Sequence, residues 1–372
     1  MFRQYKLKNY HFQLVIYMAA LTIIGILIIG SAKQSVQGKQ ILGFIMGLIV
    51  MMVISVIDYS FLLKFVWVYY IGTLGLLLLV ELVGDTTGGA QRWIDLGGFR
   101  FQPSEVAKIA IILFFSVYFM KHEENINSIK TLFISFVLVG IPLVLIITQP
   151  DNSTTILTTL IFIVLLFIGG LSYKIVLSVM GITIPIVIVA LSYIITHAQK
   201  LAKDYYPIRR IMAWIDPSNP DYSSTAYQQT NSIMAIGSGQ LRGKGLNNSV
   251  VTSMKNSNYI SEPQTDFIFA VAGEELGFIG TVIIVILLLL IVIECILIAR
   301  KAKDLAGRLI CCGMAALVGF QAFINMCVAT GLMPNTGIPL PFVSYGLTSL
   351  IMMYCGVGIV LNIGLQRNKA MI

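Results

Sequence analysis

Residues 267–299 read FIFAVAGEELGFIGTVIIVILLLLIVIECILIA, with three carboxylates and no basic residue. A hydrocarbon core about 30 Å thick takes about 20 apolar residues in a helix. This stretch is therefore longer than one perpendicular crossing. It is expected either to run first along the outer membrane surface or to break near Gly277 and Gly280 before crossing. Working outward, nine further apolar windows fall near 12–30, 41–57, 65–83, 105–120, 131–148, 153–170, 175–196, 309–331 and 346–364. The chain is expected to be all-α: a single polytopic membrane domain, residues 1–372, of about ten transmembrane helices. The windows ending at 148 and starting at 153 nearly touch, so they predict a hairpin turning at Gln149-Pro150-Asp151-Asn152.

Composition agrees with the windows. Of 372 residues 57% are hydrophobic and 11% charged, and the mean hydropathy is +0.87. A soluble domain of this length needs a far more charged surface. The formal net charge of +8 gathers at the ends of apolar spans, and no basic run or aromatic-interleaved basic patch suggests nucleic acid. Arg3, Lys6 and Lys8 precede the first span, and no small-residue cleavage site follows it, so an uncleaved first helix is expected. Cys295, Cys311, Cys312, Cys327 and Cys355 all lie in apolar spans without CxxC spacing, and His11, His122 and His197 are the only histidines. That pattern fits neither a disulfide framework nor a zinc site. Neither GxGxxG nor a Walker loop stands on a credible strand, so ATP is not expected.

Lys and Arg set the orientation. With the N-terminus in the cytoplasm, thirteen of them fall on inside segments, and five (Lys33, Lys39, Arg92, Arg100 and Lys108) fall on short outside loops. The asymmetry places both termini inside. Two non-lipidic segments then face outward: the glycine-rich 84–104, GDTTGGAQRWIDLGGFRFQPS, and the long extracytoplasmic loop between helices 7 and 8, about 197–265. Loops of that length are functional or disordered. This one alternates apolar, aromatic and glycine residues, so it is expected to fold against the membrane.

The residues able to do chemistry gather on that side. Asp266 lies where the long loop meets the eighth span, beside Phe267 and Phe269. Partial desolvation there raises a carboxyl pKa towards a general base's range; capping a helix N-terminus is the plainer role, and one residue can do both. Glu105 and Lys108, three apart at the head of the fourth span, share a helix face. Either they form an interfacial ion pair, or Lys108 meets a phosphate while Glu105 orients it. Arg92 offers a fork for phosphate oxygens and Trp93 a face for sugar, although interfacial anchoring is the usual work of such a tryptophan. Asp151 sits in the hairpin turn, which explains an aspartate without further function. Arg209, Arg210 and Trp214 resemble a basic amphipathic segment lying on the membrane, able to meet headgroups or an anionic substrate. Glu274 and Glu275 read as structural acids in the first turns of the eighth helix.

These stretches also carry a resemblance. GAQRWIDLGGFRFQPSEVAK (89–108), QPD (149–151), AYQQTNSIMAIGSGQLRGKGL (226–246), EPQTDFIFAVAGEELGFIG (262–280) and GLMPNTGIPLPFVSYG (331–346) are similar to the SEDS family (shape, elongation, division and sporulation), whose members include RodA, FtsW and SpoVE. The short N-terminus and RWIDLGGFRFQPSE lean towards the RodA-like branch. The resemblance implies a peptidoglycan glycosyltransferase in the cytoplasmic membrane of a bacterium. Such an enzyme polymerises lipid II, in elongation, division or sporulation, beside a class B penicillin-binding protein. By motif match the family's essential aspartate falls on Asp266 and its Glu-x-x-Lys pair on Glu105 and Lys108. The tryptophan of its RW motif falls on Trp93 and the QPD carboxylate on Asp151. The chain departs from the family pattern at Asn152-Ser153-Thr154, at Ser261 with Pro263 following Glu262, and at Leu347.

Residue chemistry and resemblance converge. Glycan extension needs a base for the acceptor 4-hydroxyl and cations for the departing pyrophosphate. Asp266 is the expected base; Lys108, Arg92 and Arg210 are the expected diphosphate partners. An α-linked donor and a β-linked product require one inverting displacement and no covalent nucleophile. No cofactor is expected, and a divalent cation sharing the phosphate charge stays an open alternative. A lipid II flippase, or a non-catalytic scaffold for the penicillin-binding protein, are the competing readings. A flippase needs a deep polar path, and the mid-span positions read as almost all apolar, with Glu294 the rare exception.

Overall fold

The computed structural model describes residues 9–87, 90–95, 97, 100–197, 205–247 and 262–366. Arg3, Lys6, Lys8, Ser261, Arg367 and Lys369 lie outside the described residues. In chain order the helices are α1 (Phe12–Ala32), α2 (Gln34–Val56), α3 (Tyr59–Val83), α4 (Pro103–Lys121), α5 (Ile129–Thr148), α6 (Asn152–Ile168) and α7 (Tyr173–Thr196). There follow α8 (Tyr206–Ile215), α9 (Ser223–Ser238), α10 (Ile268–Arg300), α11 (Leu305–Ala329) and α12 (Leu347–Leu365). Among the described residues nine helices are long and apolar enough to cross a membrane, and α6, at 17 residues, is a shorter apolar helix beside them.

Burial divides these helices into an inner and an outer set. In the membrane-crossing window of α4, 83% of residues are buried, against 28% for α2, α3 and α5. Helices α11 and α12 join α4 at the centre, so the apolar surfaces left over face the bilayer rather than water. Close approach in the inner set is made by small residues. A Cβ on Gly47 would stand 2.9 Å from the Tyr354 ring, so α2 and α12 can lie backbone to backbone. Helix α7 contrasts with all of these: none of its described side chains is buried.

The hairpin turns where the sequence placed it. Helix α5 ends at Thr148, and Asp151 caps α6, its carboxylate accepting from the Thr154 amide at 3.2 Å and the Thr154 hydroxyl at 2.9 Å. The fold is helical as expected, and the outer segment adds one small feature. Segment 84–104 forms a small antiparallel sheet, β1 (Asp85–Thr87), β2 (Ala90–Asp95) and β3 (Arg100–Phe101), in the order β1-β2-β3. Its glycines read as a loop; the backbone between them pairs.

The long helix α10 breaks at Gly277, whose φ of 66° and ψ of −165° are not helical. The cause lies in another segment. Residues 240–245 come back against the break, and four backbone bonds join them to it. Lys244 N donates to Glu274 O (2.9 Å), Gly245 N to Glu275 O (2.9 Å), Phe278 N to Gln240 O (2.8 Å) and Ile279 N to Leu241 O (3.2 Å). The chains pass so closely that a Cβ on Gly277 would lie 2.3 Å from Gly243 N, and one on Gly243 would lie 2.1 Å from Glu275 O. Both glycines also hold positive φ, which only glycine adopts freely. Within this clasp Glu274 binds Lys244 at 2.7 Å, and Glu275 accepts a hydrogen bond from Ser31 of α1. The two acids are buried anchors of the break.

Candidate active site

Asp266 occupies the turn that leads into α10, two residues ahead of its first helical position. It does not cap that helix, since no side chain bonds the N-cap, which is Phe267. Its backbone carbonyl accepts from Asn325 Nδ2 at 2.8 Å, while no hydrogen bond or ion pair among the described residues reaches its carboxylate. The flanking residues are tied as well. Thr265 O accepts from Ser344 Oγ at 2.7 Å, and Gln264 O accepts from Tyr345 N at 2.8 Å. The aspartate is thus fixed by its main chain and free at its side chain.

Segment 331–346 closes over it. Gly337 has a φ of +76°, and a Cβ there would stand 3.3 Å from Asp266 Oδ2, so this turn brings bare backbone against the carboxylate. Asn335 shapes the turn, its Oδ1 accepting from Gly337 N at 3.2 Å. The Asn335 carbonyl accepts from Arg210 Nη1 of α8 at 3.2 Å. Helices α8 and α9 support the same segment from the other side. Trp214 Nε1 donates to Gly331 O (2.7 Å), and Gln229 Nε2 donates to Val328 O (2.8 Å) and Met333 O (2.6 Å). The described part of the long loop is therefore folded onto the helix ends.

A second arm comes from the sheet and the hairpin. Arg92 of β2 lies 3.8 Å from the Asp151 carboxylate, donates through Nε to Gln149 O at 3.2 Å and also bonds Pro150 O. Asp151 is almost wholly buried. The charges of Arg92, Asp151, Arg210 and Glu262 converge on Asp266 from four parts of the chain. Burial pushes the Asp266 carboxyl from 3.8 up to about 6; Arg210 and Arg92 hold it down, and Glu262 and Asp151 push it up. Part of the residue's surface stays open although protein packs closely around the carboxylate.

Three expected site residues, Trp93, Glu105 and Lys108, make their contacts away from the Asp266 carboxylate. Trp93 adjoins Arg92 at a bulge in β2: Gln91 pairs with Thr86 and Trp93 with Asp85, which leaves Arg92 as the extra residue of the strand. Lys108 was expected at a phosphate. Only 2% exposed, it gives its Nζ to Glu105 Oε1 at 2.8 Å and Gln321 Oε1 at 3.2 Å. Desolvation explains the position: a lysine entering an apolar helix end lowers its energy by taking an internal carboxylate and amide. The partner amides Gln321 and Asn325 escaped the sequence reading, which took mid-span positions as apolar. Their four-residue spacing in GFQAFINM was the available signal.

A cavity of about 640 Å³ lies away from these residues, beside the α10 break, lined by Ile24, Arg242, Glu275 and Ile283 among others. Among the described residues no three of His, Cys, Asp and Glu gather as a metal-binding group. The site is therefore defined by convergent charge around Asp266 rather than by this cavity.

The family model described as cell cycle protein, covering FtsW, RodA and SpoVE, matches residues 4–369. A probable peptidoglycan glycosyltransferase FtsW from Geobacter sp. (strain M18) is 34% identical over 98% of this chain and 99% of its own length. The peptidoglycan glycosyltransferase MrdB of Escherichia coli (strain K12) is also 34% identical, over 95% and 93%. Equal identity to the two leaves the RodA-like leaning of the sequence undivided. Among solved structures, a chain of a peptidoglycan synthase complex described as coordinating polymerization and crosslinking aligns at a TM-score of 0.79 and 26% identity, covering 97% of this chain and 99% of that one. The rod shape determining protein RodA of Thermus thermophilus aligns at 0.70 and 26%, covering 97% and 98%.

Proposed function

We propose a function from one premise: the chain belongs to the FtsW, RodA and SpoVE family of cell cycle proteins. It is a multi-pass bacterial membrane protein and a peptidoglycan glycosyltransferase. Its substrate is lipid II, a disaccharide-peptide on a polyprenyl diphosphate. The whole chain acts as one catalytic unit with both termini in the cytoplasm, so the Asp266 end faces outward. Thirteen inside cations against five support that orientation.

The single observation that carries the mechanism is the Asp266 carboxylate, held by its main chain, unpartnered at its side chain and raised to about 6. At neutral pH it is mostly ionised, yet basic enough to accept a proton. It takes the proton of the acceptor sugar's 4-hydroxyl as that oxygen attacks the donor's anomeric carbon. The bond from that carbon to the diphosphate breaks, polyprenyl diphosphate leaves, and the α linkage inverts to β. Arg92 and Arg210 both act electrostatically on Asp266 and carry guanidinium groups suited to the departing diphosphate. Asp151 holds Arg92 in place, and Trp93, next to it in the bulged strand, offers its ring to the sugar. Glu105 and Lys108 act from beneath as a buried pair that fixes the floor of the site. A class B penicillin-binding protein is the partner; a solved relative occurs in a peptidoglycan synthase complex.

The test is polymer formation from lipid II by purified protein and by Asp266→Asn, with and without the transpeptidase. Loss of polymer in a folded variant that still binds its partner supports the base; retained polymerisation overturns it. Movement of labelled lipid II across vesicles without polymer would favour a transporter.

A further inference from the structure

Helix α11 crosses the bundle with an apolar sequence broken by Gln321 and Asn325, one turn apart on one face. Both are fully enclosed, at 0% and 1% exposure. An amide in such a place is costly unless it is hydrogen-bonded, so its partners show what the position is for. Gln321 accepts from Lys108 Nζ at 3.2 Å and donates through Nε2 to Pro339 O at 3.0 Å. Asn325 donates through one nitrogen to two carbonyls, Asp266 O at 2.8 Å and Ile338 O at 2.7 Å. The two amides thus join three otherwise separate parts: the Glu105–Lys108 pair, the 337–339 turn and the main chain of Asp266.

Asn325 Oδ1 is buried with no partner. A residue present only to satisfy stray polar groups would gain by satisfying its own. Here the donor side is aimed and the acceptor side is sacrificed. The carbonyls it grips belong to the base and to the neighbour of Gly337, the residue whose backbone abuts Asp266 Oδ2.

We propose that Asn325 and Gln321 are positioning residues: Asn325 sets the placement of Asp266 against the 337–339 turn, and Gln321 ties that placement to the buried Glu105–Lys108 pair. The inference rests on Asp266 being the base. The charges facing Asp266 are Arg210 from α8, Arg92 from β2, Asp151 from the head of α6 and Glu262 from its own segment. Helix α11 and segment 331–346 contribute amides and carbonyls at this point, without a carboxylate, histidine or cation.

The experiment measures polymerisation by the full chain in lipid nanodiscs, across pH, for wild type, Asn325→Leu, Asn325→Ser and Gln321→Met. Asn325→Leu removes the grip and is expected to lower kcat about 10- to 100-fold, with KM within about threefold. Its acid limb should move down from about 6, because the loosened carboxylate gains water. Asn325→Ser keeps a donor and should recover part of both. Gln321→Met should move them in the same direction by less, and Lys108→Met should cost less in the Asn325→Leu background than in wild type. A lower kcat with the acid limb unmoved, a change confined to KM, or fully additive Lys108 and Asn325 effects overturns the proposal. Should Asn325→Leu fail to fold, the acid limb of Asn325→Ser decides. A wild type without an acid limb near 6 indicts the base assignment instead, so the two failures are distinguishable.

Discussion

The two ends of the bundle both carry buried polar networks, and they are built to opposite plans. At the end remote from Asp266, Lys303 donates to Gln366 Oε1 (2.6 Å) and Ser60 Oγ (2.9 Å) and lies over the Tyr59 ring. Gln366 in turn donates to Asp58 (2.9 Å), and the Tyr59 hydroxyl donates to Asp304 (2.8 Å). His11 and Glu294 pair at 3.3 Å. Each carboxylate there has a side-chain or backbone donor. At the other end Asp151, Glu105 and Glu274 are equally well held, but Asp266 is not. The difference separates charges that fasten helices from a charge kept available. A saturated carboxylate cannot take a proton without breaking a bond; an unsaturated one costs stability and gains reactivity.

The largest test of that contrast is Asp266→Asn. Polymerisation should fall by at least about 100-fold, while thermal unfolding in detergent shows a stability equal to wild type or higher. The sign follows from the pKa. The folded-state value, about 6, lies above the ordinary 3.8, so stability is lost as pH rises through that window and an uncharged isostere avoids the loss. The same value makes the wild-type rate fall about tenfold per pH unit below 6, read from initial rates between pH 5 and 8. Next comes the floor of the site. Lys108→Met should destabilise by about 3–5 kcal/mol by stranding Glu105, and adding Glu105→Gln should return most of that stability without returning activity; denaturant titration and polymer yield report the two. Gly337→Ala sharpens the geometry. The positive φ costs about 1–2 kcal/mol, and the new methyl displaces Asp266 enough to slow the reaction about tenfold. Smallest is Tyr59→Phe at the opposite end, about 1 kcal/mol in stability with polymer yield unchanged. A drop in its rate would erase the division between the two ends.

How much of this was legible follows from what hydropathy measures. Span length is a property of long windows, so the crossings, the turn at Gln149–Asn152 and the excess length of α10 could be read from sequence; the sequence admits either a run along the surface or a break near Gly277, and the bonds to residues 240–245 go with the break. Asp266 stood out as a candidate because a carboxylate beside phenylalanines at the head of a span is unusual in any context. The sheet in segment 84–104 was not legible, since its strands are two to six residues long and interleaved with glycine. For Lys108 the i,i+3 pair with Glu105 was legible, whereas its second partner, the Gln321 amide, stands 213 positions away in sequence and no local pattern encodes that distance. Gln321 and Asn325 were visible as letters, but an apolar average hides two amides in a helix of 25 residues.

The clasp between residues 240–245 and the fracture in α10 has a consequence for how this stretch can vary. Its bonds run between backbone groups, and Gln240 and Leu241 give only their carbonyls to it, so the spelling at Leu241 is open to drift, while Gln240, at a φ of 49°, is held to residues that tolerate the left-handed region. The length of the clasp is fixed. Inserting or deleting one residue there would put each donor opposite the wrong acceptor and drive a side chain into the space that Gly243 and Gly277 share. Across distant relatives, this segment should be recognisable by its count of residues long after its letters have changed.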